Sequence, residues 1–116
     1  MDQVIGQFAT LARSYCAWAE APPTSPEAEV FVALSHLSRL YSCALLLPDI
    51  FGEEEAPDFS DKDWKRVYKR FGSLPFNNYA ECFDPLVVPG EVPVVSDLAD
   101  DLADIWRDLK GGLALF

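Results

Sequence analysis

The stretch Ser96-Asp97-Leu98-Ala99-Asp100-Asp101-Leu102-Ala103-Asp104-Ile105-Trp106-Arg107-Asp108-Leu109-Lys110-Gly111-Gly112-Leu113 decides the fold. Leu98, Leu102, Ile105, Leu109 and Leu113 recur at helical spacing and make one apolar face, with Trp106 at its edge. Ser96 is a hydroxyl cap for this last helix, and Gly111-Gly112 is expected to loosen or end it. On the same wheel Asp97, Asp100, Asp101, Asp104 and Asp108 fall within about 100° of arc, away from the leucines. One period therefore assigns a face to the core and a second face to solvent, a partner or a metal.

Working outward, Ser60 with Asp63 three residues later resembles a capping box that opens a third helix, and Gly72 ends it. Trp64, Val67, Tyr68 and Phe71 are its buried stripe. Lys62, Lys65, Arg66 and Lys69 repeat the same spacing on the opposite face, with Arg70 adjoining. Between this helix and the last, residues 73–95 carry Pro75, Asn77-Asn78, Pro85, Pro89-Gly90 and Pro93, a run of turn signals. Tyr79, Cys82 and Phe83 are expected to form a short helical turn there. Val87-Val88 and Val94-Val95 are short extended pieces that the prolines are expected to keep out of a proper sheet.

Thr24-Ser25-Pro26-Glu27 starts the second helix, with a hydroxyl cap, a proline in the first turn and an acid near the positive helix end. It is expected to run to Leu47, before Pro48. Val30, Phe31, Leu34, Leu37, Tyr41, Ala44 and Leu45 fill one wide face and Val32, Leu40 and Leu46 extend it, so this is read as the central helix. A loop of Pro, Gly and acid, including Glu53-Glu54-Glu55, follows over residues 48–59. In the first helix Val4, Phe8, Leu11, Tyr15 and Trp18 form the inward face, widened by Ile5, Ala12 and Cys16, and Pro22-Pro23 stops it. The fold class is all-α, a small bundle of four main helices with a long irregular connection before the last. Trp18, Tyr41, Trp64 and Leu102 are its expected core anchors.

The 116 residues suit one domain, residues 1–116, and half of them are hydrophobic, enough for one core. The net charge is −10. Residues 1–48 carry four acids against Arg13 and Arg39, so nearly all the excess lies beyond them. Such a charge opposes nucleic acid and anionic membranes and favours cationic surfaces. Cys16, Cys43 and Cys82 cannot all pair and none stands in C-x-x-C, which reads as buried thiols in a reducing compartment. No basic region followed by an apolar run marks a signal peptide, and no apolar stretch approaches the ~18 residues of a membrane span, so a cytoplasmic location is expected.

Within the last helix the aspartates repel one another, and only Arg107 can reach Asp104; Lys110 has no acid three or four residues before it. The dipole favours anions in the first turn but offers nothing to Asp104 and Asp108. Three readings compete: a solvated face, a surface for a cationic partner (another protein or the basic row of the third helix), and a divalent-metal site. Mg²⁺ needs an octahedral oxygen shell, and the second helix offers only Glu27 and Glu29, not at helical spacing. His36, the single histidine, reads as a core-edge residue hydrogen-bonded to backbone. Phosphate-loop, dinucleotide, zinc-protease and nucleophile-elbow motifs are absent from the sequence.

Residues 94–115 resemble the closing signature of an uncharacterised bacterial helical family, DUF5063, with Tyr15-Cys16, Leu40-Tyr41 to Leu47-Pro48 and Phe83-Asp84-Pro85 as further landmarks. The resemblance implies an α-helical domain in which the aspartate row is a group feature, and it implies no activity. The function expected from charge and size is non-catalytic: a protein-binding module of the immunity or antitoxin-like kind. It would dock a cationic partner such as a toxin through Asp97, Asp100, Asp101, Asp104 and Asp108, with no cofactor, nucleic acid or membrane. The alternative is a metal-dependent phosphohydrolase that uses the aspartate helix.

Overall fold

The chain runs α1 (Asp2–Glu20), α2 (Pro26–Ala44), α3 (Asp61–Phe71), β1 (Asn78–Glu81), β2 (Val94–Asp97) and α4 (Leu98–Leu115). The computed structural model describes residues 2–48, 55, 57, 59–81, 86 and 94–116. This is the expected four-helix arrangement with a long connection before the last helix, and the connection contains one element the sequence reading did not place. β1 and β2 pair antiparallel, with Asn78 opposite Asp97 and Glu81 opposite Val94. Tyr79 is therefore in a strand and not in a helical turn. Pro85, Pro89 and Pro93 all fall between the two strands, so every ladder residue keeps its N–H and the prolines do not prevent pairing. Cys82, Phe83, Val87-Val88 and Glu53-Glu54 lie outside the described residues.

Local chemistry starts the helices much as expected. Ser25 Oγ accepts from the Ala28 N–H at 3.3 Å, and Pro26 occupies the first helical position of α2. Ser60 Oγ accepts from the Asp63 N–H at 3.3 Å, and its hydroxyl donates to the Asp63 carboxylate at 3.1 Å. α4 differs in two respects. Its cap is Asp97, one residue later than expected: the Asp97 carboxylate accepts from the Asp100 N–H, while the Ser96 hydroxyl donates to Glu81 Oε2 at 2.6 Å. The helix also continues through Gly111-Gly112 to Leu115, with Gly111 buried. α2 ends at Ala44, short of Leu47, and turns follow.

The core is built by Tyr15, Cys16 and Ala19 of α1, Val67 and Phe71 of α3, and Ala99, Leu102, Ala103 and Trp106 of α4. Trp18 and Trp64 pack against it half-buried. The Tyr15 hydroxyl donates to the Leu102 carbonyl at 2.7 Å, so the most buried aromatic is also a strut between α1 and α4. α1 touches all three other helices, whereas α2 packs mainly on α1.

α2 is thus peripheral, which corrects the expectation that it is central. The side it turns inward is Glu29, Ala33, Leu40 and Cys43. Phe31, Leu34, Tyr41 and Leu45 stay 75%, 57%, 69% and 69% exposed, so Tyr41 is no core anchor. Two physical facts set this rotation. Ala33 and Cys43 are small enough to let α1 and α2 approach closely, and Glu29 is held inward by an ion pair to α3.

Candidate functional site

The N-terminus of α4 is closed by three acceptors. Leu98 N–H donates to the Asn77 carbonyl at 2.9 Å, Ala99 N–H to Asn77 Oδ1 at 2.8 Å, and Asp100 N–H to Asp97 Oδ1 at 3.2 Å. Asn77 Nδ2 in turn donates to Asp97 Oδ1 at 2.9 Å, and the Tyr68 hydroxyl donates to Asp97 Oδ2 at 2.6 Å. The Tyr68 and Asn77 bonds hold the Asp97 carboxyl below its ordinary range, and the same bond raises the Tyr68 phenol. Asp97 is a structural cap as well as the first member of the row.

Two further aspartates are held by neutral donors. Trp64 Nε1 donates to Asp104 Oδ1 at 3.0 Å, and the Tyr79 hydroxyl donates to Asp101 Oδ2. Trp64 and Tyr68 stack on each other at 5.3 Å, so α3 presents a rigid pair of donors one turn apart. Arg107 also reaches Asp104 at 2.8 Å, the pairing its spacing allowed. Among the described residues no hydrogen bond or ion pair reaches the carboxylates of Asp100 and Asp108. Burial first, and then Asp104, Asp97 and Asp101, push the Asp100 pKa up. The row is therefore positioned at three members and largely uncompensated in charge.

The basic row of α3 does not neutralise it. Lys62, Lys65, Arg66 and Lys69 are exposed on the outer side of that helix, and Arg66 pairs with Asp63 of its own first turn. The reason is the phase of α3: the stripe that meets α4 is Trp64, Val67, Tyr68 and Phe71, which leaves the cations turned away. Arg70 departs from that row and points inward.

Arg70 forms the most buried polar cluster, which the sequence reading missed. Its Nη1 and Nη2 donate to Glu29 Oε2 and Oε1 at 3.0 and 3.1 Å, and its Nε bonds the carbonyls of Trp18 and Ala21. Glu29 also accepts from Trp18 Nε1 at 2.8 Å and from the Thr24 N–H at 2.7 Å. Burial would raise the Glu29 pKa, but the Arg70, Thr24 and Trp18 bonds outweigh it and hold the carboxyl at about 2. His36 stacks on Trp18 at 5.2 Å, so it is a core-edge residue through ring contact, and among the described residues its ring makes no backbone hydrogen bond. Burial, and then Arg39, lower its pKa. Every polar atom of the Glu29–Arg70 pair is partnered, which marks a structural clamp joining α1, α2 and α3.

The free thiols of Cys16 and Cys43 are buried, and burial pushes Cys16 up to about 11, so neither is poised as a nucleophile. Among the described residues no three His, Cys, Asp or Glu side chains stand close enough to share a metal ion. None of the described helices is long and apolar enough to cross a membrane.

A family model described as a domain of unknown function, DUF5063, matches residues 1–116. Comparison with curated proteins found no match. Among solved structures, the chain is similar to protein BF1032 from Bacteroides fragilis, with a TM-score of 0.73 and 24% identity over 99% of this chain and 69% of that one. At that identity the likeness carries the fold alone.

Proposed function

The chain belongs to the DUF5063 family of unknown function, and from that premise we propose that it is a non-catalytic protein-binding module that docks a cationic partner through the acidic face of α4. One observation carries the reading. The carboxylates of Asp97, Asp101 and Asp104 are oriented by Tyr68, Tyr79 and Trp64, which are neutral donors, and among the described residues only Asp104 of the three also meets a cation, Arg107. A purely structural acidic row is cheapest when cations neutralise it, yet four cations of the neighbouring helix face away. Neutral donors fix position and preserve charge, and a fixed field steers and orients a basic partner. An inhibitor of the immunity or antitoxin-like kind, covering the basic cleft of a toxin in the cytoplasm, is the partner relationship that fits. The alternative is the metal-dependent phosphohydrolase, for which Glu29, one of the two acids α2 offers, is committed to Arg70.

The test replaces Asp100 and Asp108 with asparagine, because neither carboxylate makes a hydrogen bond or ion pair among the described residues. Stability should stay the same or rise by a few tenths of a kcal/mol as repulsion is relieved. A partner captured from the native cell should bind the double variant at least about tenfold more weakly and with a shallower salt dependence. Equal affinity and equal salt slope would remove the proposal. Calorimetric titration with Mg²⁺ and Mn²⁺ runs beside it. Micromolar metal binding that disappears in the variant would replace docking by the hydrolase.

A further inference from the structure

We infer that the outward face of α2 is a homodimer interface, in which two copies pack α2 against α2 antiparallel about a twofold axis close to Ser38. The face is anomalous for a helix that serves only one fold. Its bulkier apolar residues, Phe31, Leu34, Tyr41 and Leu45, point to solvent, while the buried side carries Glu29, Ala33, Leu40 and Cys43 with Leu37 beside them. Leu46 extends the exposed strip at the C-terminal end. A contiguous apolar strip of this kind marks a contact surface.

Four observations select a second copy as the occupant. The first is the spacing. Phe31, Leu34, Ser38, Tyr41 and Leu45 step by three, four, three and four, the seam of a paired helix. Seen from Ser38 the strip is nearly the same in both directions, with large apolar residues three or four and seven positions away. An antiparallel mate therefore sets Phe31 against Leu45 of the second copy, Leu34 against Tyr41 and Ser38 against its own equivalent. The second is relief. The strip adjoins an open groove of about 830 Å³ between α1 and α2, lined by Gly6, Thr10, Ser38 and Ser42 together with longer side chains such as Gln7 and Arg39. Ridge and hollow side by side on one surface are what a self-complementary contact requires.

The third observation is charge. A chain of net charge −10 repels its own copies. From Val30 through Leu47 the only charged residue is Arg39, and 15 of the 19 acids lie beyond residue 48. α2 is where two such molecules repel least, whereas a cationic partner would gain nothing there. The fourth is area: if a mate covered all of the exposed surface of Phe31, Leu34, Tyr41, Leu45 and Leu46, it would remove at most about 600 Å² per copy, or about 1,200 Å² in total, the boundary between transient and stable interfaces. This face lies apart from the aspartates of α4, so the inference does not depend on the docking proposal.

Sedimentation velocity over a concentration series decides it. Wild-type chain should shift toward dimer as its concentration rises to about 100 µM, a range that detects micromolar self-association, and added salt should leave the dimer intact or tighten it. Leu34→Glu/Tyr41→Glu puts charge on exposed positions, so the circular dichroism spectrum should be unchanged while the dissociation constant rises at least ~100-fold. Ser38→Cys should oxidise to a linked dimer faster than wild type and faster than Ala17→Cys on the exposed side of α1. This second variant decides the matter if the double glutamate fails to fold. A monomeric wild type at that concentration, a dimer untouched by the glutamates, or equal cross-linking of the two cysteine variants overturns the inference. So does a monomer whose strip is covered by a different protein.

Discussion

Replacing Glu29 by glutamine tests how the bundle is clamped, and its effect can be worked from the site. The carboxylate is 1% exposed and accepts hydrogen bonds from the Arg70 guanidinium, Trp18 Nε1 and Thr24. The Arg70, Thr24 and Trp18 bonds hold its pKa at about 2, below its ordinary value, so the ionised carboxylate stabilises the fold. Glutamine keeps the shape and one acceptor, but it removes the charge and leaves Arg70 buried over Trp18 and Phe71 with no counter-ion. Breaking a buried pair from one side costs about 3–5 kcal/mol, against a total of about 5–15 for a domain of this kind. Urea unfolding followed by tryptophan fluorescence should show a loss in that range at pH 7. The sign with pH follows from a folded pKa below the unfolded one. The contribution is complete above about pH 4.5 and disappears as pH falls toward 2. The gap between wild type and Glu29→Gln should therefore be constant near neutrality and close in acid. Glu29→Gln/Arg70→Met should be less damaging than the two single costs added, because it removes both charges together. A single-variant loss under about 0.5 kcal/mol, or a gap that persists unchanged to pH 2, would refute the clamp.

Three further outcomes follow from the same packing. His36 has a lowered pKa in the fold, so the stability linked to its neutral ring is full above about pH 6.5 and is lost as pH falls below it. His36→Phe should flatten the decline between about pH 7 and 5, and an NMR titration placing His36 at or above 6.5 would contradict this. Leu102→Ala, at the buried centre of α4, should cost about 2–5 kcal/mol, whereas Tyr41→Ala on dilute monomer should cost under about 0.5. Equal losses would mean that α2 is rotated. Cys16 and Cys43 should react with a thiol reagent at pH 8 only as fast as the chain opens, and rapid labelling of Cys16 would show its surroundings to be looser than the packing indicates.

Four helices were legible because the signals that make them are local. Ser25 with Pro26, Ser60 with Asp63, and the leucine period of α4 each act within a turn or two of chain, and each appears where the sequence places it. The aspartate row was legible as a row, and the unpaired state of Asp108 could be read from its neighbours alone. Its donors were not. Trp64 and Tyr68 carry polar ends on an apolar stripe, which signals that partners exist, but the partners lie 40 and 29 residues away and depend on how α3 meets α4. The β-ribbon was obscured for the same reason, since a strand is defined by its mate.

The face α2 turns inward was decided by tertiary structure alone. By hydrophobicity Phe31, Leu34, Tyr41 and Leu45 belong inside and Glu29 outside, and both assignments are reversed. Burial is a property of the neighbours a residue finds, not of the residue. The arginine that makes a buried Glu29 tolerable stands 41 residues along the chain, on a different helix. Sequence period determines that a helix has two faces. Which of them is covered depends on ion pairing and close approach between segments that the period of a single helix does not encode.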